Sequence, residues 1–269
     1  MLSPSRLPQI APKVAILSFA IALFGVPFGA TLPAVATELR EIARRGQLIV
    51  AVKDNHRPLG FTDARGNLQG LEIDIARKLA EELLGDPNAV VLRPVTNQER
   101  LRVLLSGEVD LAIANIAATR SRARIVNFSR YYYLDGTGLV TKDVLVRRLA
   151  DLASSKIAVL NGSSAIARIR HELPNATLVG VDSYQQAYSL LEAGNARAFA
   201  ADRSILVGWV QEYTEYKFLS TRLSGEALSI AMPKGLQHSS LYLRVNDAIA
   251  RWQKSGWLQE RIDYWGLPN

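Results

Sequence analysis

The sequence predicts an α/β protein of two successive units, each a mostly parallel sheet flanked by helices. Two observations carry this. Between Gln47 and Asn115, short apolar runs rich in β-branched residues alternate with segments whose apolar positions recur at helical spacing, a β-α-β-α-β order. The same alternation restarts at Lys156 and continues to Tyr213. Strands separated by helices favour a parallel sheet covered on both faces. The halves share no sequence repeat, so their likeness is architectural.

Composition bounds the possibilities. A chain of 269 residues, 48% hydrophobic, can bury one large or two smaller cores. The absence of cysteine excludes disulfides, thiolate metal sites, a cysteine nucleophile and a lipidated cysteine. Three histidines, His56, His171 and His238, stand far apart and in no ligand spacing, so neither a metal nor another cofactor is expected. The formal charge of +7 is spread along the chain. That pattern suits a mild preference for anions and lacks the clustered footprint of a nucleic-acid binder.

The first 36 residues read as an export signal. Arg6 and Lys13 precede an apolar run from Val14 to Ala30, and Pro33-Ala34-Val35-Ala36 offers a small-residue cleavage site before Thr37. The alternative is a retained membrane tether. The run is about 17 residues, at the short edge for spanning a bilayer, and contains Gly25 and Pro27.

The remaining elements follow in order. Glu38–Arg45 reads as a short helix stopped by Gly46, and Gln47–Val52 as a strand. Asp54–Pro58 is a loop and Asp63–Asn67 a turn. Gly70 opens a helix with Leu71, Ile75, Leu79, Ala80 and Leu83 on one stripe, ended by Gly85-Asp86-Pro87. Ala89–Val95 is a strand, Asn97–Leu105 a helix with Leu101, Leu104 and Leu105 inward, and Asp110–Asn115 a third strand. In the second unit, strands are expected at Lys156–Leu160, Thr177–Val181 and Ala196–Ala201. They alternate with helices at Ser163–His171, Ser183–Ala193 and Ser204–Tyr213, and Phe218–Leu223 is extended. A last helical segment, Ser239–Trp265, carries Leu241, Val245, Ile249 and Trp252 on one stripe and breaks at Gly256.

The stretch Gly107–Asp135 is the most informative. An apolar strand end, Leu111–Ala114, delivers a small-residue loop with free backbone N–H groups, followed by Thr119, Arg120, Arg122 and Arg124. Such an arrangement can receive an anion, because the planar guanidinium fork matches a carboxylate. On spacing alone, three arginines compete for that task, and a solvated surface helix explains them equally well.

Four motifs taken together resemble one family. They are Gly70-Leu71-Glu72-Ile73-Asp74-Ile75-Ala76, Leu104-Leu105-Ser106-Gly107-Glu108-Val109-Asp110-Leu111, the run Thr119–Tyr132, and Ser255-Gly256-Trp257-Leu258. In this order and at this spacing the chain resembles the extracytoplasmic amino-acid-binding proteins of ABC importers, polar amino acid class. The likeness extends from about Leu48 to the C-terminus. It implies a type II periplasmic-binding-protein fold: two lobes, a two-strand hinge and a ligand cleft between them. The implied division is a signal at 1–36, the first lobe at 37–138 and 225–269, and the second at 139–224. The crossings would fall near Gly136–Val140 and Ser220–Ala227.

The resemblance also implies a site. Arg122, six residues before Phe128-Ser129, would hold the ligand α-carboxylate. Thr119 would begin and cap the short helix, and loop amides around Asn115 and Ala117 would complete the contacts. The family usually has Ser or Thr where Ala117 stands, so one hydroxyl is lost. Ser163 and Ser164 at a helix start would grip the same carboxylate. Asp202 would meet the ligand ammonium, or alternatively cap its helix. His56 occupies the place of a stacking aromatic. Thr96–Leu101 looks like the glutamate/aspartate-binding branch, in which Lys53 and Arg100 would meet a side-chain carboxylate. Lysine at 53 replaces that branch's arginine and supplies a point charge where the branch has a fork.

The expected function is a receptor for a free acidic or amide amino acid, closing by a hinge in the periplasm and delivering its ligand to an ABC permease. A monomer is the expected state. An orphan or sensor protein of the same fold is the first alternative. A dehydratase-like enzyme is the second, though no paired carboxylates or nucleophile elbow are present to support it.

Overall fold

The computed structural model describes residues 37–219 and 223–268. The expected export segment, 1–36, and part of the expected second crossing lie outside the described residues. Among the described residues, no helix is long and apolar enough to cross a membrane.

The first unit opens with α1 (Thr37–Arg45), β1 (Leu48–Val52), β2 (Asn55–His56), β3 (Gly60–Thr62) and β4 (Leu68–Gln69). It continues with α2 (Leu71–Leu84), β5 (Val90–Pro94), α3 (Glu99–Leu105), β6 (Leu111–Ile113) and the long β7 (Asn127–Asp135). The second comprises β8 (Thr137–Thr141), β9 (Lys156–Leu160), α4 (Ala165–Glu172), β10 (Thr177–Val181), α5 (Tyr184–Glu192), β11 (Ala198–Asp202), α6 (Arg203–Glu212) and β12 (Lys217–Phe218). The chain then returns with β13 (Glu226–Met232), α7 (Ser239–Ser255) and α8 (Trp257–Tyr264).

Two five-stranded sheets form the lobes, ordered β5-β1-β6-β13-β7 and β10-β9-β11-β8-β12. Each begins with the same arrangement, the second strand, then the first, then the third. Each lobe's first and third strands pair in parallel, and β13 and β8 join them antiparallel. The sheets are therefore evenly mixed, more antiparallel than expected, because the connecting strands enter against the direction of the βαβ units. The change of sheet falls at Gly136. Thr137 and Gly138 pair with Asp202 and Ala201 at the start of the second sheet.

Alternation along the strands builds two cores per lobe. Leu111 and Ile113 of β6 face one cluster with Val50, Ile75 and Trp252, whereas Ala112 and Ala114 face another with Val103 and Val126. In the second lobe, Ala198 and Ala200 of β11 face one cluster and Phe199 and Ala201 the other. Leu105, expected inward, is 54% exposed, and Val103 is buried in its place. At Gly256 the backbone turns left-handed and separates α7 from α8.

Several elements were not legible. The expected loop Asp54–Pro58 contains β2, which joins β3 and β4 in a small sheet. The tyrosine stretch is the strand β7, with Tyr132 and Tyr133 buried and Tyr131 half exposed. Residues 226–232, to which no element was assigned beyond the crossing expected near Ser220–Ala227, form a strand between β6 and β7.

Candidate functional site

In open α/β sheets, ligands bind beyond the carboxyl ends of strands, where the strand order reverses. Here these points are the ends of β1 and β6 in the first lobe and of β9 and β11 in the second. The residues at those ends include Lys53, Asn115, Asn161 and Asp202.

Asn115 stands at the centre. Its backbone is left-handed (φ 50°), a conformation asparagine tolerates better than most residues. Its N–H donates to Glu72 Oε1 at 2.7 Å, and its side-chain amide lies 3.3 Å from His56 Nδ1 and 3.4 Å from Asp202 Oδ2. One residue thus touches both lobes. Glu72 is fully buried and also accepts from the Tyr132 hydroxyl at 2.5 Å. Burial pushes its carboxyl above the ordinary range, against those hydrogen bonds and the nearby Arg100 and Lys53 charges.

Asp202 closes β11 at the N-cap position of α6, yet its side chain makes no capping bond. The reach to Asn115 therefore prevails over the capping alternative. Its carboxyl is raised to about 7, first by burial, then by the charges of Asp135 and Glu226, with Asn115 and Arg100 acting the other way.

His56 bridges the lobes. Its Nδ1 faces Asn115, and its Nε2 lies 3.4 Å from Ser204 Oγ on α6. Ser204 donates to Asp135 Oδ2 at 2.5 Å, and Asp135 also accepts the Ser204 and Gly136 N–H groups. Asp135 thereby ties the hinge strand to the start of α6. Burial, followed by Lys53 and Arg100, lowers the His56 imidazole to about 3, so the ring is neutral at ordinary pH. His56 also lines a cavity of about 210 Å³ between the lobes, walled by Arg57, Tyr184, Trp209 and Tyr213.

The three expected cations of the first lobe have backbone partners. Arg122 Nη1 donates to Ala117 O at 3.0 Å, Lys53 Nζ to Val95 O at 2.9 Å, and Arg100 Nη1 to Ala114 O at 2.8 Å. Lys53 and Arg100 are almost fully buried, 6% and 8% exposed. Burial depresses both, and the neighbouring Arg122 charge depresses Arg100 further. The structure thus gathers Arg100, Arg122, Asn115, His56 and Asp202 in one neighbourhood.

The smaller groups differ in detail from expectation. Thr119 Oγ1 accepts the Arg122 N–H at 3.3 Å, but the helical turn it supports is a single 3-10 turn over Arg122–Arg124. Ala117 bridges to Leu228 through its neighbours, Ala118 N–H to Ala227 O and Ser229 N–H to Ile116 O, so that pairing does not use its own N–H. The helix expected from Ser163 begins at Ala165, whose N–H Ser163 Oγ caps at 3.1 Å. Ser164 is exposed and donates to Glu226 Oε1 at 3.2 Å.

A family model for bacterial extracellular solute-binding proteins, family 3, matches residues 48–268. The chain belongs to that family. A glutamine-binding protein of Geobacillus stearothermophilus is 32% identical over 73% of this chain and 76% of its own. The ABC transporter glutamine-binding protein of Bacillus subtilis is 28% identical over 84% of each. Among solved structures, an ancestral cationic amino acid solute-binding protein superposes with a TM-score of 0.74 at 26% identity, covering 84% of this chain and 98% of that one. The family 3 fold is therefore the two-lobed one expected, and the family is one of extracellular binding proteins, its named relatives being binding components rather than enzymes.

The family 3 chain also holds site residues that the sequence did not single out. Glu72 lies within a motif, but nothing local shows that it reaches Asn115, 43 residues away. Ser204 and Asp135 lie 69 residues apart and meet only because β7 ends beside α6.

Proposed function

We propose that this family 3 protein captures a free amino acid with an acidic or amide side chain between its lobes and delivers it to an ABC permease. In this reading Arg122, the loop around Asn115 and Ala117, Thr119, Ser163 and Ser164 receive the α-carboxylate. Asp202 receives the ammonium, and Lys53 and Arg100 attract the side chain. His56 packs against the ligand.

The observation that carries the proposal is the charge arrangement. Lys53 and Arg100 are both buried beside a single buried acid, Glu72, with Asp202 facing them across the cleft. On the first-lobe side two buried cations face one buried carboxylate, which favours an anionic or strongly dipolar ligand group there. The glutamine-binding relatives support an amide as readily as an acid. Groups from both lobes would then hold one ligand, which favours closure by differential contacts.

Titration calorimetry with glutamine, glutamate, aspartate, arginine, lysine and cystine tests this. Binding of one of the first three, tighter than the others, is expected. Tight arginine or lysine binding with none of the first three would overturn the ligand class.

A further inference from the structure

We propose that Gly208 is a positioning residue that sets how far the two lobes close, through a stripe on α6 made by Ser204, Gly208 and Gln211. Positions 204, 208 and 211 fall on one face of a helix. Each meets the first lobe. Ser204 Oγ lies 3.4 Å from His56 Nε2, and Gln211 Nε2 lies 3.5 Å from Trp265 O. Between them, Gly208 lies against the backbone of Arg57: a Cβ there would stand 2.6 Å from the Arg57 carbonyl oxygen and 3.2 Å from its carbon. Such contacts are too short, and a backbone carbonyl cannot rotate aside as a side chain can. Any residue larger than glycine must therefore hold the lobes apart.

The displacement would reach the site. Asp202 immediately precedes α6, and Asp135 binds the start of the same helix to the hinge strand, so the helix moves as one piece. The interlobe bond from Asn115 to Asp202 is already 3.4 Å long. A shift of a few tenths of an ångström takes it beyond hydrogen-bonding range. Gly208 thereby controls the distance between the first lobe's Arg122 and Asn115 and the second lobe's Asp202.

The inference rests on the reading that the ligand is held between the lobes, and two measurements separate it from that reading. In Gly208→Ala, alanine is a better helix former than glycine, so the melting temperature should hold or rise. Affinity for the amino acid found by calorimetry should fall at least about tenfold, and small-angle scattering should report a larger radius of gyration. Unchanged affinity and radius in a folded Gly208→Ala variant would overturn the proposal. The second measurement needs no ligand and no change at Gly208. The chain has no cysteine, so Gln211→Cys can carry a single bimane, which tryptophan quenches on contact. In the absence of amino acid, emission should rise when Trp265→Phe is added, above the constant quenching by Trp209 on the same helix. Emission unchanged by Trp265→Phe would show that the α6 stripe does not meet the first lobe, whatever the ligand proves to be.

Discussion

Asn115 of the first lobe donates its side-chain amide to Asp202 of the second across 3.4 Å, with the His56 ring on the same amide at 3.3 Å. This places the candidate ammonium acceptor in a contact that already spans the cleft. On the proposed reading Asp202 exchanges a neutral partner for a cation when an amino acid enters, and its protonation follows.

The first prediction concerns pH. Asp202 titrates at about 7 in the folded protein against an ordinary 3.8. Folding therefore retains a proton there that the unfolded chain has released above about pH 4. The stability tied to this group is complete below about pH 4 and is lost as pH rises through about 7. A ligand ammonium favours the carboxylate, so binding expels the proton. Affinity should strengthen with rising pH, by up to about tenfold per unit below 7, and level off above it. Calorimetry in buffers of differing ionisation heat reads the released proton directly. Asp202→Asn should bind weakly and without this pH dependence.

A second prediction isolates Arg122. Its guanidinium is half-buried and holds only the Ala117 carbonyl among the described contacts. Arg122→Ala should leave the melting temperature nearly unchanged while weakening binding by about 2–5 kcal/mol, the usual cost of truncating one partner of a desolvated charge pair. Arg122→Lys should recover part of the loss, since it restores charge but not the fork. Near-normal affinity in Arg122→Ala would remove it from the site.

A third prediction separates Glu72 from the ligand. The carboxylate satisfies two donors, Asn115 N–H and Tyr132 O–H. Glu72→Ala leaves both buried and unpaired, at about 1–3 kcal/mol each. Glu72→Gln keeps an acceptor oxygen and should cost far less. Urea unfolding of the two variants, with Tyr132→Phe alongside, checks the order.

A fourth prediction uses the left-handed backbone at Asn115. Asn115→Gly keeps the conformation and the N–H to Glu72 but removes the amide, so stability should change little while binding weakens. Asn115→Val adds a β-branched side chain at φ 50°, and should cost about 1–3 kcal/mol of stability as well. Normal affinity in Asn115→Gly would mean the amide has no part in binding.

Much of the fold was legible because its signals are local. Apolar runs such as Leu48–Val52 and Ile157–Leu160, glycine stops at 46, 85 and 256, and the stripe through Leu241 and Trp252 each declare an element within a few residues. The antiparallel strands were harder. Asn127–Asp135 interleaves Arg130 and Tyr131 with buried positions, and β13 becomes a strand only by pairing with residues about 100 positions earlier. Leu105 was misplaced because the buried face of α3 runs through Arg100, Val103 and Leu104, one position earlier than the leucine spacing suggests. At the site, it was the family resemblance that pointed to Arg122, Asn115 and Asp202. The supports behind them, Glu72, Tyr132, Ser204 and Asp135, owe their roles to distant partners, which no local pattern records.

The position of β13 bears on the order in which the chain can be completed during synthesis. It lies between β6 and β7, yet it is made after the whole second lobe. Residues 137–218 can form their sheet as soon as they emerge, from a contiguous stretch. The earlier-made strands must wait, with the facing edges of β6 and β7 unpaired, until residues 226–232 arrive. Unpaired edges are where chains pair wrongly. A nascent chain stalled before Glu226 should accordingly be the aggregation-prone form of this protein, and the part translated first is the last to mature.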